Sequence, residues 1–275
     1  MPPLIRILSL CVILLYIGYL YFGDLRNSLF ADRQFRMSEL EVAPRVGRLT
    51  ERNRDDLFVP YNGNPEYSVP ESIVSAATAH QTGTRRWHSY RPEVKHGSHP
   101  VIMLFHGAGR SGLSMVDMWR DTADRHGLFL IALDGEGQNW STQNISPSIL
   151  HNILSEAKEV APINLDQVYL FGHSRGAQYV QTLLNQAEGP WRAAAVHGGF
   201  SDPAAAIIPT NAKPIRFYLG TRDHIFHSDS ARSVAQALTA KGHSVDIHFI
   251  PNHTHWFYEV GPMIAADAWD WFAQQ

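Results

Sequence analysis

From residue 73 onward, short apolar runs alternate with stretches in which apolar residues return every three or four positions. The runs Ile73–His80, Arg85–Tyr90, Val101–Phe105, Phe129–Leu133, Val168–Phe171, Ala193–His197, Ile215–Leu219 and Val245–Ile250 read as strands. The helical patterns fall between them, at Ser114–His126, Ser146–Val160, Ser174–Ala187, Ser228–Lys241 and Pro262–Phe272. A run such as Val101–Phe105 has no polar row, which is what a strand covered on both faces requires. Strand and helix alternating over about 200 residues predict an α/β fold with a mostly parallel central sheet and helices on both faces. In such sheets ligand sites lie outside the carboxyl ends of the strands.

Four turns at such ends carry candidate chemistry. The strand ending at Phe171 runs into Gly172-His173-Ser174-Arg175-Gly176 and then a helix. A serine hydroxyl is a weak nucleophile that needs an exposed setting, a base and nearby N–H donors. The two glycines allow a tight strand-to-helix turn that supplies the first. Upstream, Val101–Phe105 leads into His106-Gly107-Ala108-Gly109, a loop able to aim a main-chain N–H at an acyl oxygen. With the N–H of Arg175, Ala108 is the expected oxyanion donor and Gly109 the second choice.

Ile215–Leu219 ends at Gly220-Thr221-Arg222-Asp223, which places a carboxylate at a strand end, where it can orient a histidine. Asp202 and Asp229 are weaker, since neither directly follows a run that reads as a core strand. Val245–Ile250 leads into Pro251-Asn252-His253-Thr254-His255-Trp256-Phe257, whose two histidines are both candidate bases. The chain order Ser, Asp, His is that of the α/β-hydrolases rather than of the chymotrypsin-like or subtilisin-like proteases. Imidazole also suits zinc, and His224 and His227 lie near the same turn. Neither a cysteine nor a His-x-x-x-His helix supports that use, so no metal is expected.

The stretch from Gly83 to Trp271 resembles the poly(3-hydroxybutyrate) depolymerase and feruloyl esterase group of the α/β-hydrolases. The resemblance lies in Gly83-Thr84-Arg85-Arg86-Trp87 with Tyr90-Arg91-Pro92, His106-Gly107, Asp134-Gly135 with Trp140, and Val168-Tyr169 before the serine turn. It departs at the turn, where His173 and Arg175 flank the serine in place of the group's Gly-x-Ser-Ala-Gly-Gly. The histidine loop is similar to those of mycolyltransferases and S-formylglutathione hydrolases, which implies His255 as the base. Feruloyl-esterase-like loops imply His253. The short segment Gly198–Lys213 implies little or no lid and an open site suited to bulky or polymeric esters.

Gly107-Ala108-Gly109-Arg110-Ser111-Gly112 also matches the dinucleotide fingerprint Gly-x-Gly-x-x-Gly, with Asp134 about 20 residues on. That reading leaves the serine turn, Asp223 and the histidine loop unexplained, and no nucleotide or other cofactor is expected. A net charge of -3 and the lack of a basic stripe give no reason to expect nucleic acid.

The amino terminus differs in kind. Ile7–Phe22 is uncharged and mainly apolar, about 24 Å long as a helix. With no Ala-x-Ala site after it, it reads as an uncleaved anchor or a signal peptide over 1–23, followed by a polar linker over 24–71 and a catalytic domain over 72–275. The expected placement is exported or membrane-anchored, with the periplasmic or extracellular side favoured. Arg26, Arg33 and Arg36 follow the run and oppose that orientation, and the sole cysteine, Cys11, lies inside it.

The predicted activity is hydrolysis of a carboxylic ester by Ser174, His255 and Asp223, with Ala108 and Arg175 holding the oxyanion. A peptidase or acyltransferase on the same triad, or a non-catalytic tethered binding protein, is the alternative.

Overall fold

A computed structural model describes residues 47–60, 66–93, 97–141, 146–202 and 211–275. These carry nine strands in one sheet: β1 (Leu49–Asn53), β2 (Thr78–Thr82), β3 (Arg85–Tyr90), β4 (His99–Phe105), β5 (Phe129–Leu133), β6 (Ile163–His173), β7 (Trp191–His197), β8 (Ile215–Gly220) and β9 (Val245–Ile250). The order is β1-β9-β8-β7-β6-β4-β5-β3-β2, parallel from β1 to β5 and antiparallel at β3 and β2. The helices are α1 (Glu71–Ala76), α2 (Gly112–His126), α3 (Pro147–Val160), α4 (Arg175–Gln186), α5 (Ser228–Ala240) and α6 (Gly261–Phe272).

The unbroken apolar runs are divided between two cores as their pleat demands. Val101, Met103, Phe105, Phe129, Ile131 and Leu133 face one layer, where α3, α4 and α5 bury Leu154, Leu183 and Leu238. Ile102, Leu104, Leu130 and Ala132 face the other, covered by Trp119 of α2 and Phe272 of α6. The row Tyr169, Phe171, His173 of β6 and the row Ala193, Ala195, His197 of β7 lie on this second face. Both rows thus end on a histidine at the carboxyl edge.

Two expectations change. Ile73–Ala76 is helical and the strand begins at Thr78, because Pro70 sits at the N-cap and opens a turn whose Ile73 plugs the second core. More consequentially, Leu49–Asn53, within the stretch read as a linker, forms the sheet edge in parallel register with β9, from Leu49 beside Val245 to Asn53 beside Phe249. Its sequence LTERN shows no apolar row because only one side of an edge strand is paired and neither face is deeply covered. The sheet accordingly begins at Leu49, ahead of residue 72.

The apolar run Ile7–Phe22 lies outside the described residues, as does half of the Gly198–Lys213 segment, residues 203–210. Among the described residues no helix is long and apolar enough to cross a membrane.

Candidate active site

Ser174 sits between β6 and α4 with φ 53° and ψ -114°. That positive φ is strained for a side chain larger than hydrogen, at a typical cost of about 1–3 kcal/mol. It persists because the surroundings leave the turn nowhere else to go. A Cβ on Gly176 would lie 2.2 Å from the carbonyl oxygen of Phe105, and one on Gly172 would lie 2.5 Å from that of Gly176. The glycines let helix and strands close up, and the turn lifts the half-buried Ser174 to the carboxyl edge.

Three side chains from three loops meet there. The Ser174 hydroxyl donates to Nε2 of His255 at 2.9 Å. His255 Nδ1–H donates to Asp223 Oδ2 at 2.8 Å, and the carboxylate, which can only accept, sets this tautomer. The other oxygen, Oδ1, takes the N–H groups of Ile225 (2.8 Å) and Phe226 (2.9 Å). Burial opposes the charge on Asp223, but the His255 bond and the two N–H groups outweigh it and hold its pKa below the ordinary carboxyl value. Phe226 stacks on the His255 ring at 5.7 Å, and Gly198, at φ 54°, leaves the space beside Nδ1 that a Cβ would crowd at 3.1 Å.

Asp202 and Asp229 are not in this group; Asp229 is exposed and pairs with Arg232 on α5. Of the two loop histidines, His255 meets the serine. His253 is turned away and buried, with its Nε2 3.0 Å from Nε2 of His197, whose Nδ1 is 3.0 Å from Nδ1 of His173. These three imidazoles are strung in a row rather than converging on one point. His224 and His227 are exposed, and among the described residues no group of three or more His, Cys, Asp or Glu could hold a metal ion.

The two expected oxyanion donors lie on the turns that flank the serine. Arg175 opens α4, where the first-turn N–H groups have no partner within the helix. In the glycine loop, the Gly109 N–H is already engaged, donated to the carbonyl of Gln138 at 2.9 Å. The loop is held by His106, which accepts from Gly135 N–H on Nε2 (2.9 Å), and by Trp140, whose indole N–H donates to the His106 carbonyl (2.8 Å). The Arg175 guanidinium turns back onto the Trp140 carbonyl (3.1 Å) and the Gln178 side chain (2.9 Å), tying the loop to the serine helix.

The dinucleotide reading finds its elements used otherwise. Asp134 accepts the Gly112 N–H at the start of α2 (2.6 Å) and lies 3.1 Å from His88 Nε2, so the carboxylate occupies the helix start where a pyrophosphate would bind. A cleft of about 450 Å³ adjoins the site on the Phe226 side, lined by Gln178, Phe200, Ile225, Phe226 and Val234.

The residues that sequence reasoning missed are His173 and His197. No local signal marks them among 15 histidines, beyond their place at the ends of neighbouring buried strands.

The sheet order, the strained serine turn and the loops around it define an α/β-hydrolase fold. The dienelactone hydrolase family matches residues 133–271, half of the chain, and the chain belongs to that family of hydrolases. No curated protein sequence matches it. Among solved structures it is similar to a thermostable esterase, with 17% identity and a TM-score of 0.60 over 74% of this chain and 64% of that one. It is also similar to a carboxylesterase from Mesorhizobium loti, at 19% identity and a TM-score of 0.57 over 71% of this chain and 99% of that one. A third is LpqC, a poly(3-hydroxybutyrate) depolymerase from Bordetella parapertussis, at 19% identity and a TM-score of 0.52 over 70% and 89%.

Proposed function

We propose that this protein hydrolyses carboxylic esters through an acyl-enzyme on Ser174. The observation that carries the reading is His255, hydrogen-bonded at once to Ser174 (2.9 Å) and to Asp223 (2.8 Å). His255 Nε2 takes the Ser174 proton as Oγ attacks the ester carbonyl. The N–H groups of Arg175 and Ala108 receive the oxyanion, each donor worth roughly 3 kcal/mol in the transition state. Asp223 holds the imidazole in its productive tautomer and stabilises the imidazolium that forms. His255 then protonates the leaving alcohol, and water, deprotonated by the same nitrogen, releases the acid.

The cleft beside Phe226 is lined by apolar side chains together with Ser201, Asp202, His227, Ser230 and Ser233, which suits a substrate group of mixed polarity, and its openness to solvent beyond Ile225, 54% exposed, favours bulky esters. Fluorophosphonate labelling of the full chain tests the reading. Wild type should label and Ser174→Ala should not, with both showing the same circular dichroism. Folded wild type that neither labels nor cleaves an ester panel graded by acyl length would sink it. Labelling together with faster turnover of amides, or of alcohol acceptors, would reassign it to a peptidase or an acyltransferase. The apolar run Ile7–Phe22 supports a tethered or exported placement, and recovery of the native protein in the cytosolic fraction would overturn that part.

A further inference from the structure

His173 and His197 are register partners at the carboxyl ends of β6 and β7, on one face of the sheet. Their Nδ1 atoms are 3.0 Å apart, and His197 reaches on through Nε2 to Nε2 of His253, also 3.0 Å away. All three are buried, His197 completely. Phe257 lies over the first two, stacked on His173 at 4.8 Å and tilted to His197 at 5.1 Å. Exposure of this order leaves no water to take over a lost bond, so each N···N contact is a hydrogen bond that must hold one proton.

That requirement constrains the set as a unit. Three neutral imidazoles carry three protons, one per ring. His197 has one proton and two partners, so it donates to one and accepts from the other. If His253 donates to His197, then His197 donates to His173; reversing one bond reverses the other. Any mixed arrangement makes His197 a cation or an anion. Burial, then the neighbouring imidazoles, holds His197 neutral, its pKa falling well below the ordinary histidine value.

The ends of the row are the two carriers of the reacting groups. His173 immediately precedes Ser174, and its ring lies 5.3 Å from that of His255. His253 is two residues before His255. Its carbonyl takes the Arg222 N–H (2.9 Å), next to Asp223, and that oxygen would lie 2.2 Å from a Cβ on Gly220. The serine turn and the histidine loop are joined only through about 80 intervening residues of chain. At the back of the site the imidazole row is the hydrogen-bonded bridge between them, beside the stacking of Phe257 on His173.

We propose that His197 is a positioning residue for the Ser174–His255 pair, setting the distance between nucleophile and base by joining the serine turn to the histidine loop through both of its ring nitrogens. The inference rests on the esterase reading above. Displacement of a base by about 1 Å can cost roughly 100-fold in turnover. His197→Phe keeps the ring volume and removes both bonds. Asn places its amide near the Nδ1 position and keeps a link to His173, while Gln reaches the Nε2 position and keeps a link to His253.

The test measures kcat and KM on one activated ester for wild type, the three His197 variants, His173→Phe, His253→Phe and the double variant. Each is corrected for the folded fraction. His197→Phe should lose roughly 10- to 100-fold in kcat with KM within about threefold, and Asn and Gln should fall between it and wild type. The double variant should be no slower than the slower single one, because either substitution already breaks the bridge. Unchanged kcat in folded His197→Phe, or losses that multiply in the double variant, would overturn the inference. If His197→Phe does not fold, the His173 and His253 variants carry the same test.

A second readout does not need turnover. In 15N-histidine protein, scalar couplings across both N–H···N bonds should be seen, and both should vanish in His197→Phe. Their absence in wild type would overturn the bridge itself. Wild type without turnover would overturn both the esterase reading and this inference. Wild-type turnover with an indifferent His197→Phe would overturn this inference alone.

Discussion

The second face of the sheet carries two buried polar groups, and they are built on opposite principles. Along β8 and β9, Arg216 pairs with Asp246 (2.7 Å) and Asp267 (2.9 Å), Arg54 with Asp267 (2.6 Å), and Tyr218 donates to the same carboxylate. His248 Nδ1 accepts from Arg54 at 3.0 Å and its Nε2 lies 3.1 Å from Asp246. At the carboxyl ends, His173, His197 and His253 hold one another with no fixed charge among them. Both groups tie together segments distant in sequence. The ionic one fastens the edge strand β1 and helix α6 to the sheet, and it tolerates charge because every ion has a counter-ion. The imidazole row lies beside a base that becomes positive during the proposed reaction. A neutral support adds no repulsion to the developing imidazolium, whereas a row of cations would lower its basicity. Away from the chemistry the fold uses ions; next to it the fold uses neutral rings.

That contrast can be broken at its strongest point first. Asp223→Asn should lower kcat by about 10⁴-fold with the melting temperature little changed, since the wrong imidazole tautomer is then favoured. Steady-state kinetics with a thermal melt checks it, and near wild-type turnover would move the acid elsewhere. Asp267→Ala should do the reverse. It leaves Arg216, Arg54 and Tyr218 without their shared acceptor and should cost about 3–5 kcal/mol in denaturant unfolding, with kcat per folded molecule retained. A fall in kcat as large as the loss of stability would erase the division between the two groups.

Acid sharpens the comparison. Burial depresses the pKa of His253 to about 4, against roughly 6.5 when unfolded. The unfolded chain therefore binds this proton first as pH falls, and stability is lost from about pH 6.5 down to about 4. For His253 alone the loss at pH 5 relative to pH 8 is roughly 2 kcal/mol. Asp246 and Asp267 are depressed as well, burial being outweighed by bonds that include those from His248, Thr50, Tyr218 and Arg54. Their contribution stays whole above the unfolded carboxyl value near 4 and is lost only as pH falls below it. Urea titrations at stepped pH should show a first decline in the histidine range, shallower in His253→Phe, and a second in the carboxyl range, smaller in Asp267→Ala. The smallest effect belongs to the exposed pair of Glu51 on β1 with Arg232 on α5 (2.7 Å). Glu51→Gln should cost about 0–1 kcal/mol, and less in high salt.

Much of this was readable in the chain before any coordinates. Val245–Ile250 is a strand at those bounds because Val245, Ile247 and Phe249 alternate along one buried face, the period of two that a strand requires. Ser174 in its glycine turn was legible for a local reason too: the steric demand is written in the residues at 172 and 176 themselves. Asp223 was legible because it follows a core strand directly. The edge strand Leu49–Asn53 was not, since its pattern is polar and its strand character comes from pairing with β9, about 200 residues away. Ile73–Ala76 was misread because a single buried isoleucine in a six-residue helix gives no period to recognise.

The amino-acid sequence by itself determined the order of strands and helices from β3 onward, the serine turn, and the succession of serine, aspartate and histidine at strand ends. These depend on side-chain period and on the sterics of adjacent residues, which act within one element. Only the tertiary structure decided that His255 and not His253 faces Ser174, that the Gly109 N–H is engaged by Gln138, and that His173 and His197 meet. Each of those outcomes depends on contacts between segments separated along the chain, which no local pattern encodes.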